Sequence, residues 1–218
     1  MFSGLTHPLN TIIVLAAVGM VPFVMMVATS FLKISVVLGL VRNALGIQQI
    51  PPNMALYAIA LILTVYIMYP VGLEIAEVAV KYEIGYDNYD NVLQALPELL
   101  EPYKNFLQHH TNHNSTDFFV EQAKRLWPED LVPEVDADNV IVLVPAFLLE
   151  ELTEAFQMGF LIYLPFIIID LIVSNILLAL GMMMVAPMTI SLPFKLLLFV
   201  VIDGWRRLTE SLVLTYIN

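Results

Sequence analysis

The sequence predicts an all-α fold: two long apolar helical hairpins, four membrane-type helices in all, with a small polar, mainly helical insert between them. Three observations carry that prediction. Of 218 residues, 59% are hydrophobic and 13% charged, against about 25% charged in an ordinary soluble domain. That much apolar surface exceeds what one small core can hide and must meet lipid or other subunits. The charge is also segregated: residues 81–150 hold thirteen acids and four bases, a net of −9, whereas the other 148 residues hold seven acids and five bases, a net of −2. Finally, the apolar runs come in pairs split by short turn-forming stretches. The expected divisions are residues 1–80 for the first hairpin, 81–140 for the insert and 141–218 for the second hairpin. The acidic balance argues against nucleic acid as a partner. With no cysteine, disulfides, thiolate nucleophiles and cysteine-ligated zinc are excluded.

The first hairpin opens on MFSGLTHPLN, which has no Lys or Arg ahead of the apolar run. It lacks the basic start of a cleaved signal peptide, so the run is expected to be retained. Thr11 to Val41 is broken only by Thr29, Ser30, Lys33 and Ser35 among polar residues. As one helix it would be about 46 Å long, against the roughly 30 Å of a bilayer core, so it must tilt, kink at Pro22 or extend beyond the bilayer. Arg42 and Gly46 read as a basic last turn and a glycine cap. Gln48 to Asn53 (QQIPPN) is a turn, and Met54 to Gly72 is the returning helix.

In the insert, Val92, Leu93, Leu96, Leu99, Leu100, Phe106 and Leu107 recur at spacings that predict an amphipathic helix. Phe118 to Trp127 predicts a second helix starting at Thr116–Asp117, and Asp136 to Asn139 reads as a linker. His109 and His113 stand four apart, with His110 between them, a metal-ligand spacing if helical. Yet the glutamate of a zinc-protease helix is missing, Asp117 is the nearest further ligand, and the neighbouring Asn and Thr favour a loop. No metal or other cofactor is expected. Asn114-Ser115-Thr116 fits a glycosylation sequon that matters only in a eukaryotic secretory lumen. With no nucleophile elbow, P-loop or dinucleotide fingerprint, the chain does not read as an enzyme.

The second hairpin begins with apolar residues from Val140, an acidic step at Glu150 to Glu154, and a long run from Ala155 to Met188 interrupted by Gln157, Asp170, Ser174 and Asn175. Val185 to Pro193 is the expected turn, with a last helix from Pro193 to Ile217. Arg206 and Arg207 fall in the middle of that helix, where an unpaired charge facing lipid costs about 2.5–3.5 kcal/mol on insertion scales. With a tip near residue 187, Asp170 lies level with them, so an Asp170–Arg206 or Asp170–Arg207 pair is expected, a proton or ion relay being the alternative. Lys195 finds no acid at its own level, and Glu151 or Glu154 of a neighbouring copy is its expected partner. Lys33, Arg42 and Lys195 flank the two turns while the insert is acidic, which places the hairpin tips in the cytoplasm and the insert outside. Arg206 and Arg207 run against that rule.

Gly181, Met182, Met183 and Met184 stand just before the second turn. Thioether side chains are unbranched, uncharged and polarisable, so several such runs around a ring would close a pore to ions and yield to a passing polypeptide. Methionine also fills gaps in ordinary cores, and taken alone the run reads that way first.

Three stretches go beyond composition: Thr29 to Leu56, Glu151 to Pro187 (ELTEAFQMGFLIYLPFIIIDLIVSNILLALGMMMVAP) and Leu192 to Trp205. They closely resemble the R component of the type III secretion export apparatus, whose flagellar counterpart is the P component of the flagellar export gate. The resemblance covers both hairpins, about two thirds of the chain, and leaves out the insert. Flagellar members are longer and typically begin with a cleaved signal peptide, so the chain looks more like an injectisome member. The resemblance implies an inner-membrane protein that assembles as several copies, usually five, with smaller S and T subunits. Together they form a helical funnel, lifted largely out of the bilayer plane, through which unfolded secreted polypeptides pass. It also implies that Gly181 and Met182 to Met184 form the constriction of that funnel. The alternative function is an ion or proton transport subunit of a membrane complex, resting on the intramembrane acids and arginines.

Overall fold

The computed structural model describes residues 19, 23, 26–47, 50–84, 89–128 and 135–217. Among these are seven helices and no strand: α1 (Phe31–Leu45), α2 (Asn53–Lys81), α3 (Tyr89–His109), α4 (His113–Leu126), α5 (Val140–Ala179), α6 (Pro187–Val201) and α7 (Gly204–Leu214). The chain divides into two units, one of residues 1–30 and 68–151, the other of residues 31–67 and 152–218, so α2 and α5 each contribute to both.

Two of the helices, α2 and α5, are long and apolar enough to cross a membrane, and a third span is counted only if α6 and α7 are joined across their 62° bend. The expected four membrane-type helices are corrected to two or three among the described residues. The reasons are local. At 15 residues, α1 is about 22 Å long, short of a bilayer core, while Pro22 and most of the run ahead of residue 26 lie outside the described residues. The last helix is broken at Asp203, whose backbone is left-handed (φ 56°, ψ 48°), a conformation costly for a residue with a Cβ. The acidic step Glu150 to Glu154 lies inside α5, which at 40 residues is about 60 Å long.

In the first unit, the insert helices carry one apolar face. Phe106 and Leu107 of α3 are buried with Ala123 of α4 and Val142, Leu143 and Phe147 of α5, and Phe106 meets Phe147 edge-on at 5.7 Å. Asn112 caps α4 by accepting from the Asn114 N–H, so that helix starts three residues before the expected Thr116. Asn139 does the same for α5 at Ile141 (3.0 Å), which makes the expected linker a helix cap. Ser115 donates to Glu150 (2.8 Å) and Gln108 to Asp138 (2.8 Å), tying α4 and α3 to the start of α5. Burial pushes the Tyr103 phenol up to about 12, so it stays neutral. Its hydroxyl finds no hydrogen-bond partner among the described residues.

In the second unit, Ile34, Val37, Leu38, Val41, Ala44 and Leu45 of α1 recur at helical spacing and form one stripe of the core. Against it lie Leu56 and Ala60 of α2, Ala155 and Phe166 of α5, Phe199 of α6, and Leu208 and Leu212 of α7. Two close approaches require glycine: a Cβ at Gly159 would run into the Leu40 side chain, and one at Gly204 into the Phe199 ring. The opposite faces of α5 and α6 stay exposed and apolar, with Phe160, Leu164, Ile168 and Ile172 on α5 and Phe194, Leu197 and Val201 on α6. A single chain therefore shows far more apolar surface than a soluble monomer carries.

Candidate functional site: a methionine loop and its buried lysines

The segment between α5 and α6 is set by glycine at one end and proline at the other. Gly181 is left-handed (φ 72°), and around it the Met182 N–H reaches back to Leu177 O (2.9 Å) and the Gly181 N–H to Leu178 O (3.0 Å). This is the paired bonding of a Schellman cap, which ends a helix where glycine sits. Pro187 starts α6 at a position where its missing N–H and fixed φ cost nothing. Between these stops the backbone closes a further turn from Met182 O to the Val185 N–H (3.3 Å). The methionines themselves project: Met182, Met183 and Met184 are 44%, 81% and 101% exposed. In the chain by itself they do not fill a core. The seven residues 180–186 centre on Met183, so the hairpin tip lies about four residues before the expected 187.

That shift repairs the register of the charges. Asp170 and Lys195 are equidistant from a tip near 182–183, and they pair: Lys195 Nζ donates to Asp170 Oδ2 at 2.6 Å. Ser191 Oγ donates to Asp170 Oδ1, also at 2.6 Å, and Lys195 Nζ reaches Ala44 O near the end of α1 at 3.2 Å. Lys195 is only 3% exposed at its side chain. Its ammonium thus caps the negative end of α1 while neutralising a carboxylate of α5. The partnering differs from the expectation at both ends: Asp170 is held by Lys195 and Ser191, and the partner of Lys195 is in its own chain. Arg206 and Arg207 leave the line of α6 at the bend and line an exposed cleft of about 410 Å³ with Asp203 and Glu210. Counting residues along a straight helix had put them level with Asp170. Glu151 is buried within the first unit.

Glu154, the other acid expected to meet Lys195, is held by Lys33 at 2.6 Å. Lys33 is buried, and the ring of Tyr216 lies 4.2 Å from its ammonium, a cation–π contact. The residues that sequence reasoning missed are Ser191 and Tyr216. Lys33 had a visible signal, a lone cation inside an apolar run, but nothing in the pattern named its partners. At the tip of the first hairpin, Arg42 donates to Asn53 Oδ1 and Pro51 O, and a cavity of about 510 Å³ opens between Arg42, Gly46, Pro52 and Met188.

The histidines do not form a ligand face. His109 ends α3, His110 follows it, and His113 begins α4, so the i,i+4 spacing spans a turn. His109 and His110 stack on each other at 5.1 Å. Among the described residues no three His, Asp or Glu side chains converge as a metal site.

Known proteins are similar in sequence to nearly the whole chain. The FliP family matches residues 14–212. The Yop proteins translocation protein R of Yersinia pestis is 52% identical over 97% of this chain and 98% of its own length. The harpin secretion protein HrcR of Erwinia amylovora is 46% identical over 96% and 97%. The virulence protein YscR of Salmonella typhimurium is 45% identical over 96% and 97%. The likeness runs through the insert as well as both hairpins, which the three quoted stretches alone did not reach. Matched end to end in this way, the chain belongs to the FliP family, as an R component of the type III secretion export apparatus.

Proposed function

We propose that the chain is a core pore-forming subunit of the type III export apparatus, and that its methionine loop is the constriction through which unfolded polypeptides pass. Several copies, five in the arrangement the family resemblance implies, would assemble with the S and T subunits in the bacterial inner membrane, with the insert on the periplasmic side. The observation that carries this reading is the loop itself. A backbone fixed by the Gly181 cap and Pro187 holds out three flexible thioethers that the chain does not pack. Repeated around an axis, such loops bring deformable apolar side chains together on a stiff frame. Charged side chains there would admit water and select cargo. The exposed apolar faces of α5 and α6 supply surface for neighbouring copies or lipid.

The relatives' names speak of translocation, secretion and virulence, and the role proposed here is passive rather than enzymatic. Asp170, the residue on which an ion-transport reading would lean, spends both carboxylate oxygens on Ser191 and Lys195, which favours a structural role. Replacing Met182, Met183 and Met184 by alanine or glycine should raise membrane leakage of small ions several-fold while part of the secretion persists. Unchanged conductance in such variants, with the complex assembled, would refute the constriction. Weighing the detergent-extracted complex intact tests the assembly, and a lone monomer or dimer would count against it.

A further inference from the structure

The position of the methionines is decided away from the loop. Below the tip, α5 and α6 face one another across an apolar groove of about 400 Å³ lined by Val173, Ile176 and Leu177 on one side and Ile190 and Phe194 on the other. Apolar groups across such a gap give little directional preference. Slipping one helix by a turn, about 5 Å, exchanges one apolar contact for another. Against that slippery ground stands a directional network: Asp170 Oδ1 with Ser191, Asp170 Oδ2 with Lys195, and Lys195 with Ala44 O. The first two bonds each require one specific residue on α6 to lie opposite residue 170, and the third ties Lys195 to the end of α1. A buried polar group that fixes register is the best-attested use of such pairs.

We infer that the Asp170–Ser191–Lys195 network is a register clamp that positions the methionine loop, setting the height at which Met182 to Met184 stand. Its action is through the hairpin, since its bonds join α5, α6 and the end of α1, so these are positioning residues. Because the third bond runs to Ala44, the same ammonium refers that height to the end of α1. This inference rests on the constriction reading for its consequence but not for its geometry, and the two can fail separately.

The chain has no cysteine, so introduced cysteines report cleanly. Spin labels at Ile172→Cys and Phe194→Cys, both exposed beside the groove, read the α5–α6 register in spin-diluted, detergent-extracted complex. The intact network should give one narrow distance. Asp170→Asn should broaden it or shift it by about 5 Å, one helical turn, and raise ion leakage several-fold in complexes that still assemble. Asp170→Glu, which keeps the charge and both acceptors, should recover most of the narrow distribution. Ser191→Ala, which leaves the ion pair, should broaden it only partly. An unchanged narrow distance in assembled Asp170→Asn complex would overturn the clamp. If the register moves but leakage does not, the clamp stands and the constriction reading fails. Should Asp170→Asn fail to assemble, Ser191→Ala carries the test alone, and an unaltered distance there would equally overturn it.

Discussion

Lys195 and Lys81 each give an ammonium to a carboxylate at 2.6 Å, yet their surroundings give the two pairs different meanings. Lys195 is 3% exposed and sits among three helices of the second unit, whereas Lys81 is 63% exposed and meets Glu98 in water. Around Lys81 and Glu98, solvent competes for every bond, and Tyr82 joins by donating to the same carboxylate (2.7 Å). Pairs of that kind are worth little. Lys195 and Lys33 are themselves almost wholly out of water, while Asp170 and Glu154 each keep 39% of their side chains in solvent, so water competes less for these bonds and the loss of the acid strands a buried ammonium. The difference teaches that the sign of a residue says less than the solvent it meets.

The comparison can be broken by testing each side. The largest effect is expected from the apolar core that makes the buried pairs rigid. Leu212 is fully buried, and Leu212→Ala should lower stability by about 3 kcal/mol, within the range for emptied leucine sites, read as a drop in the melting temperature of the detergent-solubilised protein. Next comes the buried pair. Glu154→Gln should cost about 2 kcal/mol, less than the 3–5 typical of a fully buried pair because Glu154 keeps 39% of its side chain in solvent. If it costs nothing, the cage of Lys33 is no more than a surface bridge. The smallest effect belongs to the insert: Glu98→Gln should leave the melting temperature at neutral pH nearly unchanged.

Glu98 also gives the pH dependence its sign. The Lys81 ammonium, and then the Tyr82 hydroxyl, hold its carboxyl below the usual carboxylate range. A depressed value means the folded form binds the proton less readily than the unfolded chain does. The contribution is therefore present at neutral pH, begins to fade as pH falls through the unfolded carboxylate range near about 4.3, and is gone below the depressed folded value. An acid titration of stability should show a small difference between Glu98→Gln and the parent that vanishes at the acid end. A difference that grew towards acid would reverse the assignment.

How much of this was legible depended on what kind of information each feature uses. Helix type was legible because apolar spacing encodes it: Ile34, Val37, Leu38 and Val41 declare a face whatever their partners are. Gly181 and Pro187 were both legible near the turn, yet the tip was placed at the proline rather than in the centre of the loop. Four residues of error there moved Asp170 from Lys195 to Arg206. Register is a property of two strands of sequence jointly, and a local pattern does not contain it. The break at Asp203 was invisible for a related reason: its left-handed backbone comes beside a close approach of Gly204 to the Phe199 ring, and no apolar spacing announces either. The family, in contrast, was readable at once, because long shared stretches record joint solutions to such fits.

The bond from Lys195 to Ala44 spans 151 residues of sequence, and that number is also a time. At 5–20 residues per second, synthesis of the intervening chain takes on the order of ten seconds or more. Throughout that interval the first hairpin exists without the ammonium that caps its helix, and the acid that will share it has yet to be made for most of the time. The nascent chain must therefore wait with one end of α1 provisional. A ribosome pause or a truncation before residue 195 would leave the first hairpin present and its tip unfinished.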